Sequence, residues 1–97
     1  MLSLTCLCGR VRLDVATRPA FIHECNCTLC SKAGARWSYH LPAEVEVRGD
    51  TSSYTREDKE NPAAEVHFCP RCGSTTHFTL TPGAVAKFGD TQLGVNM

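Results

Sequence analysis

Apolar and polar residues alternate along this chain in short runs of four to six positions, broken by glycine, proline and charged clusters, which is the pattern of strands with one buried face. Residues 10–15 set it, with Val11, Leu13 and Val15 on one side and Arg10, Arg12 and Asp14 on the other. Thr17-Arg18-Pro19-Ala20 interrupts the alternation, and Phe21-Ile22-His23-Glu24 resumes it up to Cys25. Residues 31–35 are small and hold at most one helical turn, too short to stand without packing. Residues 36–40 predict a strand with Trp37 and Tyr39 on a shared face, ended by Leu41-Pro42. Residues 44–48 alternate cleanly and close at Gly49-Asp50. A short strand follows over 51–55, where Tyr54 is the only large side chain and is expected to point inward.

Residues 56–65 carry Glu57, Asp58, Lys59, Glu60 and Pro62 without an apolar period, and predict an exposed loop. Val66-His67-Phe68 leads into Cys69, and residues 75–80 form a further strand with Thr76, Phe78 and Leu80 opposite Thr75, His77 and Thr79. Pro82-Gly83 predicts a turn, and residues 84–88 and 92–95 two more short strands. No helical period is sustained anywhere. The expectation is a single all-β domain over residues 1–97, made of short antiparallel strands.

At 97 residues the chain is close to the size at which a hydrophobic core alone suffices, so a covalent or metal staple would matter to its stability. Formal charge is zero, with ten basic and ten acidic residues and no basic stripe, which argues against electrostatic capture of nucleic acid or an anionic membrane. The first residues lack a basic segment followed by an apolar run, and no stretch reaches the ~18–20 apolar residues of a membrane span. These features predict a cytoplasmic protein.

Seven cysteines change the picture most. They fall as Cys6/Cys8, Cys25/Cys27/Cys30 and Cys69/Cys72. An odd total, with partners one residue apart, suits thiolate metal ligation better than disulfides. Cys6, Cys8, Cys69 and Cys72 have the form of two knuckles facing each other from distant parts of the chain, the arrangement of a closed structural zinc site. Each pair sits beside a glycine and starts a strand, and Cys8-Gly9 reads as a tight turn. Cys25, Cys27 and Cys30 supply three sulfurs and leave a fourth position open, the mark of a catalytic or ligand-exchanging zinc. Three thiolates weaken the ion as a Lewis acid, so the open position suits a soft ligand such as an incoming thiolate.

Other readings stand beside this one. His23, His40 or His77 can close the second site as its fourth ligand, leaving no open position. Trp37, Tyr39 and Phe78 read as core rather than as a substrate platform, and Lys32, Arg36 and Arg71 are candidates to hold a substrate carboxylate. With two zinc ions and seven ligating thiolates the loaded chain would carry about −3, so the neutral balance describes the apo chain.

Cys6-Leu7-Cys8-Gly9, Cys25-Asn26-Cys27-Thr28-Leu29-Cys30 and Phe68-Cys69-Pro70-Arg71-Cys72-Gly73, with Gly34 and Tyr54 between them, resemble the glutathione-dependent formaldehyde-activating enzyme family, also called the centromere protein V family. The resemblance covers roughly residues 4–80. It implies the Mss4-like fold of coiled short antiparallel sheets, shared with an accessory protein of small GTPases. It also implies a structural zinc at Cys6, Cys8, Cys69 and Cys72 and a labile, catalytic-type zinc at Cys25, Cys27 and Cys30. The activity implied is that of a carbon-sulfur lyase, adding the glutathione thiol to formaldehyde. A small thiol and a small aldehyde are then the expected partners.

A non-catalytic zinc module for protein interaction is the alternative, and GTPase binding rests on fold analogy alone. Two departures from the family pattern stand out. Asn26 lies where relatives often have histidine, and relatives usually continue past the equivalent of Met97, which predicts a domain without the family's C-terminal portion.

Overall fold

Alternating side chains become two antiparallel sheets once each strand finds a neighbour whose apolar residues stand in the same row. The computed structural model describes residues 2–16, 22, 32, 34–55, 62–89 and 92–97. In chain order the elements are β1 (Leu2–Thr5), β2 (Arg12–Val15), β3 (Trp37–His40), a 3-10 turn (Pro42–Glu44), β4 (Val45–Arg48), β5 (Ser52–Thr55), β6 (Ala64–Phe68), β7 (Thr75–Leu80), helix α1 (Pro82–Phe88) and β8 (Leu93–Asn96). A three-stranded sheet has the order β1-β2-β4, and a five-stranded sheet the order β3-β8-β7-β6-β5. The described residues are thus nearly all β, as the alternation predicts.

Register aligns the apolar rows of the small sheet. Leu2, Val15 and Val45 face one another across its strands, as do Leu4, Leu13 and Val47. These six side chains pack on Leu93 and Val95 of β8, joining the two sheets through one core. The outward rows of the small sheet are polar. There Asp14, buried at the centre, accepts from Ser3 Oγ at 2.7 Å and from Arg12 Nε at 2.9 Å, with Arg48 Nε at 3.5 Å. These donors hold its carboxyl below the usual carboxylate range, the Ser3 hydroxyl first and the Arg12 guanidinium next.

The other face of the large sheet carries a second core of Ala35, Trp37, Val66 and Phe78, with Tyr39, Ala64 and Leu80 against it. Phe78 meets Trp37 edge to face at 4.9 Å between ring centroids, and occupies the space that a side chain at Gly94 would need. Trp37, Tyr39 and Phe78 are core residues, as expected.

Three expectations are corrected. Residues 84–88 belong to α1 and not to a strand, and Pro82-Gly83 opens that helix instead of forming a separate turn. Thr81 caps it, its Oγ1 accepting from Ala84 N, and proline at the first helical position has its ring already set for the helix. Tyr54 is 52% exposed although its partner Val66 belongs to the second core, because β5 lies at the edge of the large sheet, where among the described residues only β6 flanks it. The loop predicted over 56–65 ends earlier than expected, since Ala64 and Glu65 already pair in β6, and residues 56–61 lie outside the described set. Strand β1, which the sequence reading did not assign, pairs along its whole length with β2.

Candidate metal centre

Each sheet contributes one hairpin connection to the centre. Between β1 and β2 the chain turns through Cys6-Leu7-Cys8-Gly9, and between β6 and β7 through Cys69-Pro70-Arg71-Cys72-Gly73. The two turns share a construction. Gly9 N donates to Cys6 O at 3.1 Å, and Gly73 N donates to Cys69 O at 2.8 Å. Both glycines take positive φ, +80° and +77°, a region that a side chain disfavours, and so let the backbone fold back on the sulfurs. Cys6 N to Val11 O and Cys69 N to Ser74 O then close each loop at the strand ends.

The result is a quartet of free thiols, Cys6, Cys8, Cys69 and Cys72, whose Sγ atoms all lie within 4.8 Å of one another. Cys8 Sγ is 3.6 Å from both Cys6 Sγ and Cys69 Sγ. Cys6 and Cys69 are buried with Val11, Cys72 is half-buried and Cys8 exposed. Hydrogen bonds already favour thiolates. Val11 N donates to Cys6 Sγ at 3.3 Å, and Ser74 Oγ stands 3.2 Å from Cys72 Sγ while accepting from Leu7 N at 3.2 Å.

The thiols respond unequally to this environment. The Ser74 hydroxyl, followed by the Ser74 and Cys8 backbone, brings Cys72 down to about 5. Burial and the Cys72 sulfur would raise Cys6, but the Val11 N–H and the Cys8 and Cys69 sulfurs outweigh them and hold it below the ordinary thiol range. Cys8 gains from the Arg10 N–H, yet desolvation and the other three sulfurs push it up to about 11. Negative sulfurs so close together repel, and a cation among them would relieve that repulsion. A thiophilic divalent ion such as zinc fits this donor set, which has four sulfurs and backbone N–H groups to support them.

Sequence reasoning found all four sulfurs but missed Ser74, whose hydroxyl touches both knuckles. Its place two residues after Cys72 was the available signal.

The profile of the glutathione-dependent formaldehyde-activating enzyme family matches residues 1–92. The chain belongs to that family. In a comparison of folds it is also similar to a crystal structure of a Rhodobacter sphaeroides protein, with a TM-score of 0.76 and 26% identity over 98% of this chain and 84% of that one.

Of the other candidate residues named from the sequence, Cys25, Cys27, Cys30 and His23 lie outside the described residues. His40 is buried in β3 with Nε2 at 2.9 Å from Ser38 Oγ. His77 stacks on His67 across β6 and β7, the ring centroids 4.3 Å apart and the planes within 4°. Burial and then the His67 charge bring His77 down to about 4. Lys32 is exposed, Arg36 joins β3 to Asn96 through its backbone N–H, and Arg71 projects from the tip of the second knuckle. The structure therefore brings together four of the seven cysteines and leaves the described histidines apart from them, inside the large sheet.

Proposed function

We propose that this chain is a zinc-dependent carbon-sulfur lyase that joins a small glutathione-like thiol to a small aldehyde such as formaldehyde. The observation that carries the proposal is the four-cysteine centre, built as two matching knuckles within a chain of this family. In this reading Cys6, Cys8, Cys69 and Cys72 hold a structural zinc. Cys25, Cys27 and Cys30 hold a second ion with one position left open. Zinc at that open position would bind a soft thiolate and keep it deprotonated at neutral pH.

The residues supply the rest. Cys25, Cys27 and Cys30 act as ligands and not as nucleophiles, and positioning thiol and aldehyde together removes the entropy cost of their encounter. The sulfur forms one new bond to the carbonyl carbon, the π pair moves to the carbonyl oxygen, and that oxygen takes up a proton. An S-hydroxymethyl product results, with no oxidant or reductant consumed.

Three measurements test the proposal. Zinc content is expected to be two ions per chain, one of them removed by a mild chelator and both by a strong one. In a cobalt-substituted protein, glutathione is expected to shift the thiolate-to-metal absorption, and Cys27→Ser to abolish that shift. A shift that persists in Cys27→Ser, or no shift in the parent chain, would overturn the reading. Formation of S-hydroxymethylglutathione above the uncatalysed rate, followed by proton NMR, then tests the chemistry directly.

A further inference from the structure

The backbone of β1 has a phase that its neighbours fix. Cys6 N donates to Val11 O in line with the β1–β2 register, so Leu2 and Leu4, in step with Cys6, also bond to β2. Ala16 N donates to Glu44 O, which commits the even-numbered residues of β2 to β4 and leaves Leu13 and Val15 for β1. Ser3 and Thr5 therefore turn their N–H and C=O groups away from β2, to the outer edge of the small sheet. Among the described residues no other backbone group pairs with them there. A groove of about 240 Å³ opens beside this edge, lined by Leu4, Leu7 and Leu13 from the small-sheet side and by Thr76, Asn96 and Met97 from the large-sheet side. Leu7 is 87% exposed and Met97 39%, so its rim offers apolar surface to a partner.

An open edge is a template for one more strand, and most edges carry something that discourages it. At the opposite edge of the small sheet β4 presents Glu46 and Arg48, which pair with each other at 3.3 Å. In the large sheet β3 is largely buried, and β5 has no apolar row. Strand β1 has neither charge nor proline, and residues 1–9 contain no charged side chain. We propose that β1 is a dimer interface, on which β1 of a second copy of this chain lies antiparallel about a two-fold axis. The strand is complementary to itself. Pairing Ser3 with Thr5 of the second copy gives each outward N–H and C=O a partner, and sets Leu4 opposite Leu4 of the second copy. The row of Leu4, Leu13 and Val47 then continues across the axis and over the groove, while Ser3 and Thr5 keep their side chains on the exposed face. A neutral strand meets its own copy without like charges facing each other. This inference concerns assembly and stands apart from the lyase reading.

The test uses the full chain in the presence of zinc, followed by sedimentation equilibrium and by amide exchange as its concentration is raised. An interface of one short strand is small, so a weak dimer that forms with rising concentration is expected. As it forms, exchange at the Ser3 and Thr5 amides should slow, while Leu4, already bonded to β2, changes little. Thr5→Pro removes one outward donor from each copy and leaves the β1–β2 ladder intact, since proline is tolerated where the N–H faces solvent. It is expected to raise the dimer dissociation constant about tenfold or more, while the dilute variant keeps the far-UV circular dichroism of the parent chain. Thr5→Val retains the N–H and should dimerise like the parent chain. A parent chain that stays monomeric throughout, or a folded Thr5→Pro that dimerises equally well, would overturn the inference. A dimer in which Ser3 and Thr5 exchange as fast as in the monomer would overturn it too, because another face would then be the interface. So would protection of these amides at every concentration, which would mean that the same chain already covers the edge. The exchange measurement needs no variant, so it decides the matter even where Thr5→Pro fails to fold.

Discussion

His77 is a residue that the fold holds in its neutral form. Its ring is 4% exposed, lies flat against His67 and has Nδ1 at 2.9 Å from Thr76 Oγ1, while His67 Nε2 stands 2.9 Å from Thr79 Oγ1. A proton on either ring would place a charge in a buried stack whose facing charged neighbour on the strand pair is Glu65. Burial lowers both rings, and for His67 the Glu65 carboxylate opposes it in part. The folded-state value for His77 is about 4, against an unfolded value near 6.5, so between these the unfolded chain binds the extra proton. Stability is then fully present above pH ~6.5 and falls as pH drops towards 4, by an amount on the order of 2 kcal/mol. His77→Asn, which keeps a polar atom near Thr76, is expected to flatten this part of the stability curve relative to the parent chain. Urea denaturation at pH 7.5 and 5 checks it, and equal losses in both proteins would rule out His77 as the source. The sequence showed two histidines in strand positions, but nothing in it told that register would stack them.

Among the elements, most strands were legible in the sequence, the four-residue β5 and β8 included, while the short helix was not. Residues 10–15, 36–40, 44–48 and 75–80 each contain a strand of the structure, since strict alternation over four or more positions fits one buried face. Strand β1 also alternates, Leu2 and Leu4 against Ser3 and Thr5. Helix α1 has seven residues, under two turns, and cannot display a helical repeat. Its signal lay in the cap, Thr81 before Pro82, which the proline-glycine pair disguised as a turn. Thr81 does two jobs, accepting from Ala84 N at 3.2 Å and donating from Oγ1 to Pro62 O at 2.8 Å. It thereby ties the helix start to the segment before β6. Thr81→Ala is expected to cost about 1–2 kcal/mol, while Thr81→Ser costs less than half of that because the hydroxyl remains. Equal denaturation midpoints for Thr81→Ala and the parent chain would show that the cap contributes nothing.

Over the whole molecule, the quartet of sulfurs and the apolar core between the sheets do the same work by different means. Cys6 and Cys8 belong to the hairpin of the small sheet, Cys69 and Cys72 to a hairpin of the large one, so an ion held by all four fastens one sheet to the other. The core between them is small, with Leu13, Val15, Leu93 and Val95 fully enclosed and four partly buried neighbours. Spacing in the sequence was enough to pair the two knuckles because a four-sulfur site needs both. That they would close on different sheets depends on topology, which no local pattern records. Structural zinc contributes on the order of 10–16 kcal/mol in small peptides, as much as the entire net stability of most domains, about 5–15 kcal/mol. Removing the metal with a strong chelator at pH 7.5 is therefore expected to unfold both sheets together, not to loosen the knuckles alone. Tryptophan emission reports on Trp37 in the large sheet, and amide exchange at Leu13 and Val15 reports on the small one. Both signals should be lost at the same chelator concentration and recovered on adding zinc. Retained protection at Leu13 and Val15 in the metal-free chain would mean that the apolar core holds the sheets by itself, and that the four cysteines serve some purpose other than holding the fold together.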